Sequence, residues 1–170
     1  MAQSTNPFPP GRRVVTSHNA EGAAVIKIDD VISTKPTDFG IDIGRIWVST
    51  EHPADVQSSE DKSLIDAGLA PSGSQVNFVD FPPNTKVIHH RTTTLDYVFV
   101  HKGAVVLELD DGSRTKLQSG DSAVVQAGMH SWQNEDTEWA RVFSVMVAAQ
   151  PPSIGGKTLE FEIKETPENA

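Results

Sequence analysis

The feature that most constrains this chain's fold is its punctuation. From Val76 onward, short runs of β-branched and aromatic residues are cut at close intervals by turn signals: Pro82-Pro83-Asn84, Lys102-Gly103, Asp110-Asp111-Gly112, Ser119-Gly120 and Ala127-Gly128. Short, regularly broken strands of this kind indicate an antiparallel barrel or sandwich. Earlier runs extend the pattern. Arg13-Val14-Val15-Thr16 and residues 23–28 flank Asn19-Ala20-Glu21-Gly22 and read as a hairpin, and residues 45–50 form a third run. The polar stretch that starts at Glu51 has room for at most a short helix within residues 59–68 and reads as a rim loop or lid. Residues 139–149 are a further strand, Pro151-Pro152 breaks it, and residues 159–163 alternate like a final one. The expectation is one all-β domain over residues 13–165, preceded by a flexible N-terminal arm (1–12) and followed by a polar tail (166–170). A chain of 170 residues can bury a core of that kind without disulfides or a structural metal.

Charge and cysteine content narrow the chemistry. With 14 basic against 23 acidic residues the formal net charge is -9, which repels phosphate backbones and anionic lipid surfaces. The expected partner is therefore a small-molecule substrate, with no nucleic acid and no membrane. The absence of cysteine removes thiol catalysis and thiolate metal sites, leaving His and carboxylates as the strong bases or ligands. Residues 1–13 contain no apolar run, so no signal peptide is read and a cytoplasmic location is expected.

Two stretches carry the chemistry. Across residues 84–103 an extended backbone puts His90, Thr92, Asp96, Val98 and Val100 on one face, and His89, Arg91 and Tyr97 on the other. Across residues 120–134, His130, Trp132 and Asn134 share an alternation. A closed barrel would bring His90, Asp96 and His130 together in one lined cavity as candidate catalytic groups. Thr92, Trp132, Gln126 and Asn134 are the candidate substrate-binding residues. Trp132 is expected as wall, since an indole N–H can orient a ligand but takes no proton at neutral pH. The plainer alternative makes both histidines hydrogen-bonded barrel residues and Asp96 an acceptor for Arg or Tyr. Arg91 suits a substrate carboxylate, but its parity, like that of Tyr97, favours the outer face, where Arg91 would form a salt bridge within the chain or across a dimer; His18, His52 and His101 are assigned to the surface, and Trp47 to the core or pocket. Asp110-Asp111 and Glu135-Asp136 read as turn chemistry.

These spacings resemble the two cupin motifs, G-x5-H-x-H-x3,4-E-x6-G and G-x5-P-x-G-x2-H-x3-N, over residues 84–134. His90 falls on the first metal-binding His, Asp96 on the Glu and Gly103 on the closing Gly; Gly120 and Gly128 match the second motif, with His130 and Asn134 each one place early. The departures are Asn84 for the first Gly, Thr92 for the second His, Asp96 for Glu and Gln126 for Pro. Asn is the next residue after Gly to accept positive φ. The resemblance implies a single cupin barrel (double-stranded β-helix, jelly-roll-like) whose usual four-ligand metal cage is incomplete. Arg12-Arg13-Val14-Val15-Thr16, His90-Arg91-Thr92 with Asp96-Tyr97, and residues 130–134 are similar to small fungal cupins that accompany polyketide synthases in salicylaldehyde-type biosynthesis. Resemblance to small cupins also implies a homodimer.

Three functions follow as expectations. The first is a cofactor-free acid-base lyase (dehydratase) or isomerase acting on a polyketide-like hydroxy-carbonyl molecule, with the imidazoles as base and acid and Asp96 fixing a tautomer. The second is an oxidoreductase, an oxygenase holding Fe(II) or another divalent metal on His90, Asp96 and His130, the composition of a two-His-one-carboxylate site. The third is a non-catalytic barrel that binds a small molecule.

Overall fold

A computed structural model describes residues 5–164; the polar tail expected at 166–170 lies outside the described residues. Among the described residues the architecture is all-β apart from one 3-10 turn at Lys62–Leu64. Two six-stranded antiparallel sheets face each other. The first runs in the order Ser122–Gln126, Thr94–Lys102, Ala140–Ala148, Ser74–Phe81, Asp42–Ser49, Lys35–Pro36. The second runs Arg114–Gln118, Ala104–Leu109, His130–Asn134, His90–Arg91, Glu162–Ile163, with Thr85–Lys86 also paired to His130–Asn134. The N-terminal hairpin forms as expected, Gly11–His18 against Ala24–Ile32. The last strand is shorter than the alternation suggests: only Glu162–Ile163 pairs, against Arg91 and His90.

Alternation decides what the barrel buries. Along Thr94–Lys102, Thr94, Asp96, Val98 and Val100 are buried, while Tyr97, Phe99 and His101 are exposed. From the facing sheet Val87, Val105, Leu117 and Trp132 meet Val98, Val100, Val125 and Val142 in one core cluster. Among the turns that use the left-handed region, two fall at motif positions of the first stretch. Asn84 takes φ 54°, the role the sequence assigned to it in place of Gly. Gly103 takes φ 75°, and a Cβ there would lie 2.9 Å from the Trp139 carbonyl oxygen.

The arm expected to be flexible through Arg12 is instead docked from Asn6. The Asn6 amide donates to Asp80 (2.8 Å), Asp42 (3.0 Å) and Thr34 (3.2 Å), and the Pro9 carbonyl accepts from Arg141 (3.0 Å). The physical reason is a buried ion pair. Asp80 and Arg141 are register partners on adjacent strands, and their leftover donors and acceptors need covering.

A second buried cation holds the hairpin down: Arg13 donates to Asp30 and Asp61, and Asp61 is drawn down to about 2 by the hydrogen bonds from Arg13. Trp47 lines a cavity of about 460 Å³ beneath this hairpin, together with residues of the Glu51 stretch.

Candidate functional site

The facing sheets enclose a cavity of about 270 Å³ lined by His90, Thr92, Asp96, His130 and Trp132 among apolar neighbours that include Phe39, Ile41, Val79, Phe81 and Met146. The two histidines meet because His130 and His90 are direct register partners in the second sheet. Their ring centroids are 4.6 Å apart with planes tilted by 51°, and Trp132 sits edge-on to His130 at 6.1 Å. Each ring is anchored through Nδ1, 2.9 Å from the carbonyl oxygen two residues earlier: Ile88 for His90, Gly128 for His130. A carbonyl only accepts, so Nδ1 carries the hydrogen in the neutral ring and Nε2 holds the lone pair. For His130 the anchor depends on a strained turn, in which Ala127 takes φ 50° immediately before Gly128.

Burial sets the electrostatics. His130 is 2% exposed, and desolvation first, then the charge on His90, push its pKa down from 6.5 to about 4, opposed by the Gly128 carbonyl. Burial pushes the Asp96 carboxyl up, opposed by hydrogen bonds from Thr94 and Thr92 and by His90. His130 is therefore a neutral acceptor through most of the pH range, and a second proton on the pair is disfavoured.

Stability should follow. The folded pKa of His130 lies below its ordinary value, so the unfolded chain takes up the proton first on acidification. Its contribution is complete above pH 6.5, falls as pH drops toward about 4, and the loss reaches about 3 kcal/mol. Asp96 works in the opposite sense, because its raised pKa lets protonation favour the fold. Urea midpoints measured across this window should decline in the parent protein and decline less in His130→Leu; equal slopes would contradict the assignment.

Two expected binding residues lie elsewhere. Gln126 is exposed, because Val125 is the inward residue at that end of its strand and alternation sends Gln126 outward. Asn134 is buried but serves the backbone. Its amide donates to the carbonyls of Phe81 (3.0 Å), Pro82 (3.1 Å) and Glu138 (2.8 Å), and its Oδ1 accepts from the Asp136 N–H (3.0 Å). Asn134→Ala should consequently cost about 1–3 kcal/mol in denaturant unfolding, since it orphans buried carbonyls, without altering ligand binding in the cavity.

Arg91 pairs with Glu162 and His89 lies 3.5 Å from Glu108, both away from the cavity, as alternation required. Residues that the motif comparison passed over do reach the cavity: Gln75, Asn77 and Ser144 from the first sheet, and Arg45. Arg45 donates to the Ile65 carbonyl (2.7 Å) and Asp66 (3.3 Å), holding the end of the Glu51 stretch so that Gly68 and Leu69 border the cavity. Alternation in Ser74–Phe81, with Gln75 and Asn77 in phase with Val79 and Phe81, is the signal that would have found the first two.

The metal that cupin resemblance implies would need at least three donors on the cavity wall. Nδ1 anchoring of both rings would suit ligation through Nε2. The third donor is missing: among the described residues no three His, Asp or Glu side chains come together in a group able to hold a metal ion. A three-ligand site does not assemble from His90, Asp96 and His130 as they stand.

Comparison with known proteins agrees with the geometry. The Cupin domain profile matches residues 77–146. The chain is 31% identical over 173 residues to phomopsin biosynthesis cluster protein D of Diaporthe leptostromiformis, covering 94% of this chain and 92% of that protein. It is 29% identical over 168 residues to oryzines biosynthesis cluster protein J of Aspergillus oryzae, covering 93% and 94%. Among solved structures, the cupin domain of Cnp3 from Schizosaccharomyces pombe superposes with a TM-score of 0.54 at 9% identity, over 81% of this chain and 87% of that one. A double-stranded β-helix protein from Klebsiella pneumoniae gives 0.52 at 16% identity, over 78% and 90%. The barrel, the paired motifs and relatives matched along nearly their whole length converge: the chain belongs to the cupin family.

Proposed function

We propose that this cupin is an enzyme of secondary metabolism, a lyase or isomerase that moves protons on a hydroxy-carbonyl, polyketide-like substrate. The observation that carries this reading is the His90–His130 pair, two rings fixed through Nδ1, which leaves both Nε2 atoms to exchange protons with a substrate in an apolar cavity. The biosynthesis-cluster relatives support the metabolic setting.

In the proposed dehydration, His130 Nε2 accepts a proton from the carbon beside the carbonyl. Protonated His90 gives its Nε2 proton to the departing hydroxyl, and water leaves as the double bond forms. His130 ends with one proton more and His90 with one fewer, and transfer between the adjacent rings restores the starting state. The tautomer-fixing role expected of Asp96 falls instead to the Ile88 and Gly128 carbonyls, which hold Nδ1 of the two rings; Asp96 stabilises charge on His90 through its electrostatic coupling to that ring. Stopping after proton return to a different carbon gives an isomerase.

Chelator-treated protein in D2O with a panel of β-hydroxy ketones tests this. Deuterium incorporation beside the carbonyl and loss of water are expected. Stoichiometric iron in freshly purified protein, with turnover lost on chelation and restored by iron(II), would overturn the reading in favour of an oxygenase.

A further inference from the structure

Buried polar atoms without a partner are costly and scarce in folded proteins, so their location is informative. Among the described residues they are Arg45 Nε, Gln75 Oε1, Asn77 Oδ1, Arg91 Nε and Asp96 Oδ1. Four of these five belong to residues lining the cavity, and three of those four are acceptor oxygens on side chains at least nine-tenths buried: Gln75 3%, Asn77 2% and Asp96 7% exposed.

The register of the first sheet arranges them. Gln75 and Asp96 are both partners of Met146, one on each side, and Asn77 is partner to Ser144 two residues along the same face. Strand spacing puts the Gln75 and Asp96 backbones roughly 10 Å apart, and the pleat puts Gln75 and Asn77 roughly 7 Å apart. The wall so formed offers acceptors and asks for donors. Two of its three oxygens belong to neutral carboxamides, and the rest of the cavity is mostly apolar. Burying a cation there costs more than burying hydroxyl groups.

We infer that Gln75, Asn77 and Asp96 form a recognition wall for a molecule that presents at least two hydroxyl groups from an apolar, ring-sized body. This rests on the reading that the cavity holds the substrate, and it names the substrate's class: a polyhydroxylated ring or ring precursor. The dehydration chemistry needs one hydroxyl at the histidine pair; the wall accounts for others that remain in place.

Two probes of the same ring test the inference on the full chain, labelled with nitrogen-15. Resorcinol carries two O–H donors, whereas 1,3-dimethoxybenzene keeps the oxygens and lacks the donors. Resorcinol should bind about tenfold tighter and move the side-chain amide signals of Gln75 and Asn77. Gln75→Leu should erase most of that preference and melt no lower than the parent, because it removes an orphan atom; Asn77→Leu should erase it too, but also removes the 3.4 Å hydrogen bond from Asn77 Nδ2 to Ser144 Oγ. Equal affinity for the two probes, or no binding of resorcinol, overturns the inference. So does a lower melting temperature in both variants with the preference intact, which would mean that the amides serve the fold. His130-dependent deuterium exchange is read separately: its absence with the probe preference present defeats the acid-base account and leaves the wall standing, and the reverse defeats only the wall.

Discussion

His130→Ala, kept in the chelator-treated state, should lose about 10²- to 10⁴-fold in deuterium exchange and dehydration of the best β-hydroxy ketone, measured by NMR and mass spectrometry. The effect is large because the ring supplies the lone pair that receives the substrate proton, and no neighbouring group can replace it in place. Its Nδ1 is held by Gly128, and His90 lies 4.6 Å away with the opposite task. His90→Ala should fall by a similar factor. The double variant should be little worse than either single one, because residues that act as a unit lose their function together. Full turnover in both single variants would leave the cavity as a binding site without acid-base chemistry.

The largest effect on stability belongs to a different pair. Asp80 is fully buried and accepts from Arg141 Nε (2.6 Å) and Nη2 (2.7 Å), from Asn6 and from the Thr34 hydroxyl (3.0 Å). The guanidinium lies 4.8 Å from the Phe8 ring and 5.2 Å from the Phe78 ring. Asp80→Ala strands that cation among apolar groups and should cost about 3–5 kcal/mol in urea unfolding. Removing both charges, as in Asp80→Leu with Arg141→Met, should recover most of the loss, since the penalty comes from the unpaired charge rather than from a missing attraction. A cost below about 1 kcal/mol for Asp80→Ala would mean that the arm does not seal the pair.

Much of this molecule was legible in the sequence because strand alternation is a rigid rule. The inward set His90, Thr92, Asp96 and Val98 lines the cavity, and Arg91 and Tyr97 fall outside it. Motif position and alternation disagree at one expected binding residue, and alternation holds. Gln126 occupies the place of a cupin Pro, yet its neighbour Val125 takes the inward direction.

Asn134 was misassigned for another reason: it is inward and buried, but local carbonyls from Phe81, Pro82 and Glu138 claim its donors. That tertiary crossing has no local signature. The docking of Asn6 was equally hidden, since it depends on an ion pair formed by residues 61 positions apart. Gln75 and Asn77, by contrast, were readable as polar residues at inward positions of an apolar strand.

The acid-base chemistry depends on His130 being a neutral, Nδ1-protonated ring with its Nε2 lone pair free. Nitrogen-15 NMR of the imidazoles, titrated from neutral pH downward, measures this without any substrate. The expected result is the Nδ1–H tautomer for His130 and a midpoint near 4. An Nε2–H tautomer, or titration at the ordinary value of 6.5, would contradict it.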